Sequence, residues 1–297
     1  MKHEPPLLSV VIPTWNRARL VCEAVESALS QRPGQVEVIV VDDGSTDDTP
    51  DLLTHRFGSR IRLLRRSERG GIGAARNAGA REAKGALVAF LDSDDLWLPG
   101  KLDAELQVFE SLPESEAIVS DSLTLVEGLP EERTRFANNG LLSAAGGQVR
   151  YLRDCPWLWG HWQKTITICS MTLRRNALER LGQPLFPEDL IAGEDWELEM
   201  RIYHHCRVAV LPEVWSHIRR FDDGTRPGRA CPGKPLSPAQ KVSVLEAKLK
   251  TLERTLTLNG LDAGVVAELE RCRLIAIWEL APYQANEEQR TVSIGCP

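Results

Sequence analysis

Apolar runs and polar breaks alternate through the first part of the chain in a way that predicts a layered α/β fold. Leu7 to Ile12 is an apolar run rich in β-branched residues, and Pro13 stops it; it reads as a buried strand followed by the loop Pro13 to Asn16. Val21, Val25, Ala28 and Leu29 share one face of a helix over 17–29. Val36 to Val41 predicts a second strand ending in Asp42-Asp43-Gly44-Ser45, with Asp47 or Asp48 capping a helix that runs to about His55. Ile61 to Leu64 reads as a third strand, and Gly71 to Ala83 as a small-residue helix. Ala86 to Leu91 is then apolar without a polar break, which fits a strand buried on both faces of a parallel sheet. Four strands alternate with three helices, the order of a doubly wound half with right-handed crossovers.

Beyond Pro99 a helix carrying Leu102, Leu106 and Phe109 leads to a strand at Ala117 to Ser120, and the alternation then lapses. Residues 127–147 read as a long loop of the kind that carries substrate contacts. Thr165 to Leu173 predicts a strand, Arg174 to Leu181 a short helix, and Val208 to Leu211 and Val214 to Ile218 two short strands. Residues 226–237 form a proline-rich linker, and Ser237-Pro238 opens a helix with Val242, Leu245, Leu249, Leu252 and Leu256 on a seam. Gly260 closes it, and Asp262 opens a second helix with Val266, Leu269, Ile277 and Leu280. The domain plan is a catalytic unit over 1–225, divided into a 7–120 half and a 121–225 half, the linker, and a helical hairpin over 238–285. By default such a hairpin packs on its own catalytic unit; pairing with a second subunit as a homodimer is the alternative.

Composition narrows the class. Hydrophobic residues make up 42% and charged residues 26% of the chain, a globular balance without a disorder signature. The formal net charge of −6 argues against a nucleic-acid partner. No apolar run approaches the ~20 residues of a membrane span, and MKHEPPLL lacks a signal-peptide layout. Seven scattered cysteines form no C-x-x-C pair, so reduced thiols in a cytoplasmic protein are expected and a zinc site is not.

Candidate chemistry gathers at strand ends. Asp92, Asp94 and Asp95 crowd together behind the fourth strand, where they repel one another unless a cation or donors offset them. Mg²⁺ or Mn²⁺ is the natural partner of such oxygen ligands; a polar turn capping the next helix is the other reading. Asp42 and Asp43 end the second strand, and Thr14-Trp15-Asn16 follows the first. If these ends are neighbours they line a crevice suited to a nucleotide. The Gly70-Gly71-Ile72-Gly73 segment is not a dinucleotide fingerprint, because Arg76 stands where the third glycine belongs. Its glycines start a helix, and Arg76 one turn in can face a phosphate. The basic residues between Arg60 and Arg69 read as a solvated edge. Trp157, Trp159 and Trp162 follow the long loop; Trp157 and Trp159 are acceptor-binding candidates, since aromatic faces stack on sugars, although a cluster pinning the loop accounts for at least two of the three. Asp195 falls in the first turn of a helix marked by Trp196, Met200 and Tyr203, where either the helix dipole or a general-base role explains an acid.

VVIPTWNR, VVDDGSTDDT, GGIGAARNAGAREAKGALVAFLDSDD and AGEDWELEMR together resemble the family 2 glycosyltransferases of the GT-A fold, in that family's order and spacing. The resemblance covers residues 7–220 and implies a Rossmann-like nucleotide-binding half with a mixed sheet. It implies inverting transfer of a sugar from a nucleoside-diphosphate sugar, UDP being common in the family, to an acceptor that the residues do not specify. By the same resemblance Thr14 and Asp43 bind the base, with Pro13 and Asn16 in the same first-strand loop, Asp92 lies nearer the ribose and Asp94 binds the metal; Arg76, placed to face a phosphate, completes the nucleotide-binding set. Asp195 is the general base and Glu194 a supporting or acceptor-binding residue. Asp95 is left without a role, and Phe221 stands where a histidine touching the diphosphate is looked for. The rival readings are a sugar-phosphate nucleotidyltransferase, which wants a glycine-rich basic loop after the first strand, and a catalytically silent nucleotide- or carbohydrate-binding scaffold.

Overall fold

A computed structural model describes residues 5–141, 148–152, 166–190, 193–221 and 237–294, with side chains described as far as residue 283 and not at residue 150. The first strand, β1 (Leu8–Thr14), is buried along its whole length. It lies between β2 (Val36–Asp42) and β4 (Leu87–Phe90), parallel to both. β3 (Arg62–Arg65) extends the parallel set beyond β2. Helices α1 (Ala18–Leu29), α2 (Thr49–Phe57) and α3 (Ile72–Glu82) make the crossovers. The 3-2-1-4 order is that of a doubly wound half, with β1, β2 and β4 ending together at one sheet edge. Helix α3 lies close on this sheet because Gly79 carries no side chain: a Cβ there would sit 2.3 Å from a Val11 methyl.

The sheet continues as a mixed one, and the continuation differs from the sequence reading at three points. After the short β5 (Leu96–Trp97) and helix α4 (Lys101–Ser111) comes β6 (Ala117–Val126), longer than the predicted strand, with β7 (Leu129–Pro130) turned back on it. Helix α5 (Arg135–Asn138) and β8 (Arg150–Tyr151) follow. The strand expected from Thr165 begins only at β9 (Met171–Arg174), because Ile168–Ser170 form a 3-10 turn that turns Cys169 and Ser170 inward. Beyond the short α6 (Arg175–Arg180) and α7 (Glu194–His205), the two strands expected after residue 207 are one, β10 (Val208–Arg220). Its pairing with β6 shifts register between Leu211 and Val214 and again before Ser216, so the polar interruption at Pro212-Glu213 is an irregularity within one strand. The full order is β3-β2-β1-β4-β9-β6-β10-β5, the mixed α/β sheet that was expected.

Helix α8 (Pro238–Leu256) opens on a capping box between Ser237 and Gln240. It packs against α7 and against α9 (Ala263–Ile294), whose start is capped by Asp262 accepting from the Gly264 N–H at 2.7 Å. Leu252 of α8 meets Val265, Leu269 and Cys272 of α9. The buried stripe of α9 thus runs through Val265, Leu269, Cys272, Ala276 and Leu280, leaving the predicted core positions Val266 and Ile277 exposed. No helix among the described residues is long and apolar enough to cross a membrane.

Buried acids outside the strand ends also shape the fold. Glu199, one turn beyond Asp195 on α7, is fully buried, and neither carboxylate oxygen has a hydrogen-bond partner. Burial, with Asp195 and Glu194 adding like charge, pushes its pKa well above the usual carboxylate value against the pull of Arg135 and Arg76. The folded state therefore keeps Glu199 protonated while the unfolded chain ionises, so its contribution to stability is present at acid pH and is lost as pH rises through its folded pKa. Glu199→Gln removes that loss. The variant should match the parent in urea unfolding near pH 4.5 and exceed it by about 1–3 kcal/mol at pH 7.5.

Candidate active site

One cavity of about 630 Å³ opens where β1, β2 and β4 end, and its wall is shared by residues from six separate stretches of chain. Pro13, Thr14, Trp15 and Arg17 come from the end of β1, Asp43 from the end of β2, and Asp92 to Asp94 from the end of β4. Arg69 to Gly73, Ala75 and Arg76 come from the start of α3, and Glu188 to Leu190 with Gly193 to Trp196 from the approach to α7. Helix α8 adds Val244. The strand ends converge because the 3-2-1-4 order puts them side by side; α7 arrives through Gly193, whose φ of 81° turns the chain into the helix.

Asp43 is held by two backbone donors and a guanidinium. The Gly70 and Gly71 N–H groups donate to its Oδ1 and Oδ2 at 3.0 and 2.8 Å, and Arg66 Nε lies 3.0 Å from Oδ1. The Gly70 and Gly71 N–H groups just ahead of α3 are therefore engaged by Asp43. Arg69 lies 3.6 Å over the Trp15 ring, a cation–π contact on the cavity wall. The stretch read as a solvated edge is thus corrected at Arg66 and Arg69; both guanidiniums reach back over acids and aromatic faces that spacing alone does not reveal. Thr14 belongs to the same wall, and its Oγ1 is buried without a hydrogen-bond partner. Asn16 does not line the cavity. At φ 49° its amide oxygen accepts from the Thr46 N–H at 2.8 Å and its Nδ2 donates to Thr46 Oγ1 at 3.3 Å, latching the first loop to the DDGS turn.

The three acids behind β4 diverge. Asp92 meets Arg76 at 2.5 Å, and Asp94 takes Arg17 on Oδ2 at 2.6 Å. Asp95 is turned inward: the Arg219 N–H donates to Oδ1 at 2.9 Å and the Cys169 thiol to Oδ2 at 3.1 Å. Arg219 Nε also donates to the Asp94 carbonyl at 2.5 Å. Asp95 therefore ties the acidic loop to β10. Donor atoms of Asp92, Asp95 and Cys169 lie within 4.8 Å of one another, but burial pushes the Cys169 thiol up, so it holds its proton. A hard divalent ion fits the oxygens of Asp92 and Asp94 that border the cavity better than this trio.

Arg76 joins the two acidic centres, with Asp92 16 positions and Glu194 118 positions further along the chain. Its guanidinium is fully buried, with Nη2 on Asp92 and Nη1 on Glu194 at 2.6 Å. An Arg76 expected to face a phosphate thus acts through two carboxylates. Burial and the Asp195 charge raise the Glu194 pKa to about 7, and Arg76 pulls the other way without cancelling them. Asp195 is partly exposed on the cavity wall, and its Oδ1 accepts from the Trp196 N–H at 3.0 Å. The C-terminal helices support this side: Arg254 of α8 grips both Asp189 oxygens at 2.9 and 2.7 Å. Trp157 and Trp159 lie outside the described residues. Arg17, Arg66, Arg69 and Val244 are wall or support residues that the sequence did not single out. Arg17, inside PTWNR, had a usable signal in its place directly behind a strand-end loop.

Residues 9–182, more than half of the chain, match the model of the glycosyl transferase family 2. The chain belongs to that family. Among its relatives is an uncharacterized glycosyltransferase of Nostoc, 39% identical over 194 residues, which are 64% of this chain and 56% of that one. A second, from Escherichia coli, is a UDP-Glc:α-D-GlcNAc-diphosphoundecaprenol β-1,3-glucosyltransferase, 39% identical over 105 residues, 35% of this chain and 42% of that one. The chain spans about a third of the length of several Rickettsia relatives, from 29% to 38%. Among solved structures, Staphylococcus aureus TarS with UDP-GlcNAc superposes with a TM-score of 0.66 at 20% identity, covering 92% of this chain and 72% of that one. A Pyrobaculum calidifontis mannosyltransferase with GDP-Man and Mn²⁺ gives 0.63 at 19% identity, covering 99% and 77%. These two likenesses establish the GT-A fold of this family 2 chain.

Proposed function

We propose that this chain moves a sugar from a nucleoside-diphosphate sugar to an acceptor hydroxyl, with inversion at the anomeric carbon. The observation that carries the reading is that Asp43, Asp92, Asp94, Glu194 and Asp195, far apart in sequence, line a single cavity. Asp195 takes the acceptor proton as the new bond to the anomeric carbon forms. The bond to the diphosphate oxygen breaks on the opposite face, and its electron pair leaves with the nucleoside diphosphate. Asp94, with Asp92 beside the ribose, would hold a Mg²⁺ or Mn²⁺ ion, which when bound neutralises charge on the departing diphosphate. Thr14 and Asp43 bind the base, and Arg76 keeps Asp92 and Glu194 in register. The Mn²⁺ carried by the Pyrobaculum neighbour supports the metal. The lipid-linked acceptor in the Escherichia coli relative's name supports an acceptor of that class, with a UDP-linked donor.

Thermal unfolding with nucleotide and metal tests the reading. A nucleoside diphosphate at about 100 times its Kd should stabilise the protein by about 2.7 kcal/mol in the presence of Mn²⁺. Most of that shift should vanish when EDTA replaces the metal. No shift with UDP, dTDP or GDP would remove the basis for a nucleotide-sugar donor.

A further inference from the structure

Helix α9 is apolar on two opposite faces. Its buried stripe starts with Val265, Leu269 and Cys272 against α8 and runs on through Ala276 and Leu280. The other side carries Leu274 and Trp278, one turn apart and 59% and 77% exposed. Val266, Ile275 and Ile277 flank them, each more than a third exposed. Of the exposed residues between 263 and 282, only Arg271 and Glu279 are charged. A helix apolar all round belongs in a buried setting, and a contiguous exposed apolar patch marks an interaction site. We propose that α9 of a second copy of this chain covers the outer face, the two helices antiparallel about a two-fold axis at Ile275.

The placement of the two charges selects that partner. Arg271 and Glu279 stand four residues before and four after Ile275, so the three lie along one ridge, each about 6 Å of rise from the next. In an antiparallel pair crossing at Ile275, residues equidistant from the axis face one another. Arg271 then meets the partner's Glu279, and Glu279 the partner's Arg271, as a self-complementary two-fold contact requires. A parallel pair would set like charges together. Both groups can take part: Arg271 holds Glu268 of its own helix at 2.6 Å with half its side chain still exposed, and Glu279 makes no ion pair among the described residues. Leu274, Ile275 and Trp278 make the apolar centre of the contact.

A lipid surface is the other occupant that such a face could take, and the charges argue against it. Helices that lie on membranes turn Lys and Arg toward anionic headgroups. Here Asp262, Glu268, Glu270 and Glu279 outnumber Arg271 and Arg273, on a chain of formal net charge −6. The contact is one helix wide, which places it at the small end of specific interfaces and makes the pairing reversible.

Sedimentation velocity of the full chain over about 1–100 µM reads the pairing. The 33.1 kDa subunit should dimerise with a Kd of about 1–50 µM. Leu274→Ser combined with Trp278→Ser should weaken dimerisation by about 30-fold or more. Both residues are exposed and lie outside the donor cavity, so circular dichroism and nucleotide binding should match the parent. Glu279→Arg alone sets like charges opposite each other and should weaken the dimer by about 5-fold or more; adding Arg271→Glu should return it to within about 2-fold of the parent. A wild-type protein that stays monomeric at about 100 µM overturns the proposal. If that monomer also floats with vesicles containing phosphatidylglycerol, the face belongs to a bilayer. A dimer that keeps the parent's Kd after the Leu274 and Trp278 changes forms elsewhere and overturns it too. So does a dimer indifferent to Glu279→Arg. None of these outcomes touches the sugar-transfer reading, which rests on a separate surface.

Discussion

Replacing Asp195 by Asn is expected to lower sugar transfer by about 10²- to 10⁴-fold, the span that a positioned general base contributes. The change keeps the shape of the side chain, and the amide oxygen can still accept from the Trp196 N–H that holds Oδ1 at 3.0 Å. What it removes is the basic oxygen that takes the acceptor proton in the proposed reaction. Nucleotide binding, which in the proposed reaction engages Thr14, Asp43 and Asp92, should change by less than about 3-fold in calorimetry. A variant that transfers at the parent rate would rule out Asp195 as the base. A variant that loses nucleotide binding in step with transfer would point to a misfolded wall and no specific catalytic loss. The distinction is sharp because Asp195 is partly exposed and makes no ion pair with Arg76, unlike its neighbour Glu194.

Arg76→Met should be the most damaging single change to stability, costing about 3–5 kcal/mol. The guanidinium is sealed between Asp92 and Glu194, so methionine fills much of the volume but leaves two carboxylates facing each other without their cation. Glu194, already raised to about 7 by burial and the Asp195 charge, then loses the one charge pulling it down and is driven further toward its neutral form. Urea unfolding at pH 7.5 reads the loss. The double variant Arg76→Met with Glu194→Gln should recover part of it, because it removes one of the stranded charges. Arg76→Lys should fall between parent and Arg76→Met, since an ammonium cannot reach Asp92 and Glu194 with separate nitrogens as the guanidinium does. If Arg76→Met unfolds at the parent urea midpoint, the bridge contributes nothing to holding the two acidic centres together.

Much of the nucleotide-binding half was legible because its strands are buried on both faces. Unbroken apolar runs such as Val38 to Val41 and Leu87 to Leu91 have few other ways to fold, and three of the acids at their ends, Asp43, Asp92 and Asp94, fell into one cavity as expected. The later half was less legible for local reasons. Pro212-Glu213 looks like the end of a strand, but β10 absorbs it as an irregularity and pairs on with β6. The stretch TITICSMTL alternates like a strand, yet a 3-10 turn at its centre sends the Cys169 thiol to Asp95. Arg66 and Arg69 were hidden in a basic run, because charge density carries no information about which cations fold back over an acid or an indole. Asn16 shows the reverse error: a polar residue in the right loop serves the loop itself.

The mooring of Asp95 to β10 has a further meaning for how this cavity can change. The acidic loop is fastened by its own backbone and by buried partners, so its negative charges form a fixed template that shifts only with the central sheet. The cations around it, Arg17 on Asp94 and Arg69 over Trp15, sit on long side chains reaching in from neighbouring loops. Adaptation to a different donor therefore has an inexpensive route. Substitutions among these counter-charges can retune the pocket while the acidic frame, and the stability invested in it, stays as it is.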